Sequence, residues 1–174
     1  MISPDWCRMM AAYNAEMNRR LFAAAAGLDD AARRADRGAF WGSLHGTLSH
    51  LLWGDAQWMS RFDGGAKPPV GMKDSPHMVA GWADLAAARS AMDARIADWV
   101  AGLTTGRLAA PLTWVSGISG REVSLPLWIV ATHFFNHQTH HRGQAHALVT
   151  AAGAKTEDTD LPWVLDLAAL GLAP

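Results

Sequence analysis

Apolar residues recur at helical spacing over four long stretches of this chain. In the clearest, Leu127, Val130, Phe134, His137, His141, Ala145 and Leu148 follow one another at steps of three or four. Such steps put all of them on one stripe of a helix, the face that turns toward a core. The spacing predicts a helix from about Pro126 to Ala152. Another stripe, Trp82, Leu85, Met92, Ile96 and Trp99, predicts a helix from about Val79 to Leu103. Ser3-Pro4-Asp5 reads as a start signal: a capping hydroxyl, proline in the first turn and an acid at the positive dipole end. The helix it opens runs to about Leu28, and a further one runs from about Ser43 to Phe62. Between these elements, residues 29–39 suggest a short helical turn and a loop, and Lys67-Pro68-Pro69-Val70-Gly71 a non-helical connection. The β-branched and glycine-containing stretch from Thr113 to Ser124 predicts a small hairpin or an extended loop. A short helix near Trp163 to Leu170 closes the chain. Four long amphipathic helices amount to an all-α fold, a four-helix bundle with residues 1–174 as one domain. Its long connections leave room for a crossover.

Two positions on the last long stripe break the apolar pattern. His137 and His141 stand one helical turn apart on the core-facing side, so their imidazoles can converge on one ion. Neutral imidazole is a common ligand for divalent transition metals. The competing reading is a pair of core histidines satisfied by backbone or neighbouring side chains. His133 and His140, on an adjacent face, would be solvated or pack on tryptophans. Gln138 follows His137, so the His-Glu-x-x-His pattern of zinc proteases is absent. No glutamate stands three residues before either histidine, which disfavours a di-iron bundle. A third ligand must come from another segment. His45, His50 and His77 are candidates, with acids such as Asp55 and Asp84. Periodicity leaves His45 and His50 open, although Gly54, one turn after His50, would leave room beside it.

Composition narrows the classes of function. Half of the 174 residues are hydrophobic and 18% are charged, which excludes a disordered chain. The formal net charge is −1, and no basic face stands out as a nucleic-acid surface. No apolar run reaches the ~20 residues that span a bilayer, and the N-terminus has no signal-peptide pattern. The expected location is the cytoplasm. A single cysteine, Cys7, excludes an internal disulfide framework and reads as a packed or surface thiol. Nine tryptophans against one tyrosine suit core packing and pocket walls, with Trp53, Trp58 and Trp114 the candidates for a pocket.

Two segments carry a resemblance. Thr47-Leu48-Ser49-His50-Leu51-Leu52-Trp53-Gly54-Asp55 resembles the first motif of the DinB-like family of metal-binding bundle proteins. Asn136-His137-Gln138-Thr139-His140-His141-Arg142-Gly143-Gln144 resembles its second. Helix order, hairpin position and length agree with that family over nearly the whole chain. The resemblance implies an up-down-down-up crossover bundle that forms a homodimer. It implies a divalent ion, nickel or zinc, held by His50, His137 and His141.

Three imidazoles leave coordination positions free, as catalytic rather than structural zinc sites do. An ion in such a site activates either a water for hydrolysis or a thiol for transfer onto an electrophile. The expected partner is therefore a small molecule, including a low-molecular-weight thiol. The alternative is a non-catalytic protein in which the metal stabilises the fold or is sensed. Asn136, Gln144 and Asp55 are candidates to orient the ligands. Asp55 as a base and Arg142 as an anion-binding group are weaker catalytic candidates. For both, an ordinary interhelical or surface polar contact is the competing reading.

Overall fold

The computed structural model describes residues 1–117 and 119–172 and is mostly helical, with one small two-stranded sheet. Helix α1 covers Pro4–Ala26, α2 Asp30–Arg34, α3 Leu44–Phe62 and α4 Trp82–Ala101. Short α5 covers Thr105–Ala109, then strands β1 (Pro111–Val115) and β2 (Glu122–Pro126) lead into α6, Leu127–Ala151; α7 is Leu161–Val164. Serine hydroxyls start two of the long helices, Ser3 accepting from the Trp6 N–H and Ser43 from the Gly46 N–H.

The long helices pack α1 on α4 and α6, and α3 on the same two. Cross-helix pairs give their directions. Asn18 meets Asp93 while Phe22, one turn later, stacks on Trp82, so α1 and α4 run oppositely. Trp6 meets Phe135 and Asn14 meets Gln138, so α1 and α6 run alike. Along α3, Asp55 pairs with Arg89 and Asp63 with Arg95, the same sense as α4. His50 lies against His141 and Phe62 against Phe134, so α3 opposes α6.

The core between these helices holds Leu44, Leu48, Met59, Leu85, Ile96, Leu127, Phe134 and Phe135, each 2% exposed or less. Burying such side chains contributes about 1.5–3 kcal/mol apiece before the cost of ordering them. The hairpin pairs Leu112 with Leu125 and Trp114 with Val123. Buried Leu112 and half-buried Trp114 anchor it on the helices, which a two-stranded ribbon requires. Ile118, in the turn of the predicted hairpin, lies outside the described residues, as do Ala173 and Pro174.

Several boundaries differ from the sequence expectation. The connection after α3 contains a 3-10 helix, Met72–His77, packed on α3, and His77 ends that helical turn. Helix α4 starts at Trp82 and not at Val79, because Val79 turns its carbonyl to the His45 imidazole. The last helix covers Leu161–Val164, not 163–170; Pro162 sits in its first turn and Trp163 is 83% exposed, so no core contact extends it. Cys7 is fully buried, and burial pushes its thiol up to about 11, which leaves it unreactive. Among the described residues no helix is long and apolar enough to cross a membrane.

Candidate metal centre

Helices α3 and α6 bring His50, His137 and His141 together. One ring nitrogen from each lies within 4.8 Å of the others. The ring centroids of His137 and His141 are 4.4 Å apart, and His50 stands 4.6 Å from His141 and 5.8 Å from His137. His50 and His141 are buried and His137 is half-buried, so the cluster has a side that reaches solvent.

Hydrogen bonds set which nitrogens carry lone pairs. The Ser75 hydroxyl donates to the Met72 carbonyl at 2.6 Å, so toward His50 Nδ1, 2.8 Å away, it accepts. That places the His50 proton on Nδ1 and the lone pair on Nε2. The Gln144 carbonyl oxygen accepts from His141 Nδ1 at 2.8 Å, with the same result. His141 Nε2 and His137 Nε2 then face each other at 3.1 Å. This separation is close to the edge of a tetrahedron built on Zn–N bonds of about 2.0–2.1 Å. Burial pushes His50 down to about 3, with His141 and His137 adding to it. Burial, then His141, His133 and His140, also lowers His137 to about 3, and burial lowers His141. All three are neutral near pH 7, the form in which imidazole binds metal. The donor set therefore fits a divalent ion: orienting acceptors behind two ligands and converging lone pairs in front.

The backbone makes room for this arrangement. A Cβ at Gly54 would come within 2.6 Å of His137 Cε1, so glycine lets the imidazole lie against α3. The space expected beside His50 for an ion and its open position is thus filled by a ligand ring. A tight turn held by Gly42, with φ 73°, stacks Trp41 on the His50 ring at 3.8 Å and 23°, and Trp53 stacks at 5.6 Å and 21°. Trp58 and Trp114 form a separate cluster further along α3, around Arg61 and the edge of His133.

The other candidates are placed elsewhere. His45 is a core histidine whose ring nitrogen bonds the Val79 carbonyl at 2.7 Å. His133 and Asn136 are exposed, as is His140; Gln144, not Asn136, orients a ligand. Asp84 is exposed at the start of α4. Asp55 is fully buried behind the site and pairs with Arg89 at 2.6 Å; Arg89 also reaches Asp93 at 2.8 Å, to which Asn18 donates. Burial raises the Asp55 carboxyl against the pull of Arg89, and the two carboxylates hold Arg89 protonated despite its burial. Arg142 follows His141 but faces α1 and Tyr13. Sequence reasoning missed Ser75, Trp41 and Arg89. Only Arg89 left a trace, as a cation four residues after Leu85 and three before Met92 on the stripe of α4.

A family model for the DinB family matches residues 4–172. The chain belongs to the DinB family. No curated protein and no solved structure matches it. The match covers both helices that carry the DinB chain's three histidines.

Proposed function

We propose that this DinB protein holds one divalent ion, nickel or zinc, on His50, His137 and His141 and uses it to act on a small molecule. The four long helices are read as an up-down-down-up crossover bundle, supported by the directions of the cross-helix pairs. The single observation that carries the metal reading is the convergence of three neutral imidazoles, two of which, His50 and His141, have their outer nitrogens already committed. A bound ion would supply Lewis acidity, lowering the pKa of a water or thiol in a free position. Ser75 and Gln144 would fix the ligand tautomers, and Trp41 and Trp53 would keep water from the His50 side. Asp55 is tied to Arg89 and is not read as a base. The chemistry is thiol transfer to an electrophile, or hydrolysis, by a cytoplasmic homodimer.

The test is to load the protein with cobalt and follow its visible spectrum while a low-molecular-weight thiol is added. The proposal expects a new thiolate-to-metal band and metal-dependent turnover of an electrophile or ester. A spectrum that no added thiol or substrate analogue changes, together with a large loss of thermal stability on metal removal, would support the alternative of a structural or sensing metal.

A further inference from the structure

On the other side of α6 lies a cavity of about 230 Å³ between α1, α6 and the segment 156–159. Arg142 lines it. His141 and Arg142 are consecutive, about 100° apart around the helix axis, so the same turn of α6 serves the histidine cluster and this cavity. Arg142 is 6% exposed, and its Nη1 has no hydrogen-bond partner among the described residues. Its Nη2 donates to the Thr139 hydroxyl at a long 3.4 Å.

Several other polar groups around the cavity are committed. Arg20 pairs with Glu16 and Glu157 and donates to the Asp158 carbonyl. Tyr13 donates to the Thr159 carbonyl at 2.5 Å, and His146 bonds the Thr156 hydroxyl at 2.8 Å. These contacts staple the segment over the cavity and leave Arg142 as the cation there without a direct anionic partner. As an arginine it is charged at neutral pH. Met17 and Leu21 supply an apolar wall. A cavity of about 150 Å³ admits benzene, so this one has room for a ring or short chain with a charged end. A buried, under-bonded guanidinium selects a planar oxyanion that accepts two parallel N–H bonds.

We propose that this cavity is a binding site for a small organic carboxylate, anchored by Arg142 and separate from the histidine cluster.

The experiment is an NMR titration of the metal-loaded protein with benzoate, and with benzyl alcohol as the uncharged match. Saturable benzoate shifts are expected at Thr139, Gly143 and Thr156, with benzyl alcohol at least about tenfold weaker. Arg142→Gln should weaken benzoate by a similar factor. Gly143→Leu guards against a folding defect in that variant: a Cβ there meets nothing within 4 Å, so the side chain fills open space. It should abolish binding with thermal stability kept. His50→Ala should leave benzoate affinity unchanged. No saturable shift at these three residues, or equal affinity in Gly143→Leu, would overturn the proposal. Loss of benzoate binding in His50→Ala alone would assign the carboxylate to the metal centre and overturn it equally, without touching the metal reading.

Discussion

Two buried polar clusters share the middle of this protein, and they are built on opposite principles. Around Arg89, two carboxylates and the Asn18 amide meet one guanidinium, so opposite charges pair directly within the chain. Around His141, three neutral rings converge; the outer nitrogens of His50 and His141 are satisfied, while the inner ones face one another. The first cluster joins α1, α3 and α4 through ion pairs and one amide. The second has lone pairs turned inward, and without an ion a single proton has to bridge His137 and His141. Direct ion pairing across helices marks a cluster that holds them together; converging acceptors mark one that holds a ligand.

Replacing a member of each cluster should break this comparison in different observables. The largest effect is expected from the ligands: His50→Ala, His137→Ala and His141→Ala should each take metal content from near one per chain to near zero by elemental analysis. His133→Ala and His140→Ala should leave it unchanged. Arg89→Met should strand buried Asp55 and Asp93 and cost about 3–5 kcal/mol in urea unfolding, with metal content per folded chain retained. Ser75→Ala removes the acceptor behind His50 and should weaken metal affinity about 10–100-fold in a chelator competition. Gly54→Ala should weaken it too, through the approach of its Cβ to His137. A uniform loss of stability with no change in metal affinity would show that both clusters are merely structural.

The smallest effect is one of pH on the metal-free protein. His50 and His137 titrate near 3 in the folded chain and near ~6.5 when unfolded. The unfolded state therefore binds more protons in that window, and stability falls as pH drops from about 6.5 toward about 3. The urea midpoint should decline between pH 7 and pH 4.5, and decline less in His50→Phe.

The stripe on α6 was legible because helical spacing alone places His137 and His141 beside Phe134 and Ala145. The choice between His45 and His50 was not legible from spacing. Both lie on α3 and both are buried; what separates them is that Val79 meets one and Ser75 the other, each from the connection after α3. Those contacts are long-range, so no local pattern carries them. The family resemblance supplied His50, and the geometry accords with it. Arg89 broke the α4 stripe as visibly as the histidines broke that of α6, but its partners stand on α3 and on its own next turn. Arg142 looked like a neighbour of the metal site because it adjoins His141 in sequence, whereas the helix turns it toward α1.

The central claim is that the histidine cluster holds an ion, and metal content tests it most directly. The protein purified without a histidine tag would be analysed for metals as isolated, and again after incubation with nickel and zinc followed by desalting. The account predicts close to one divalent ion per chain, lost in His50→Ala. A protein that retains no metal under either condition, while remaining folded, would contradict it and leave His137 and His141 as a hydrogen-bonded core pair.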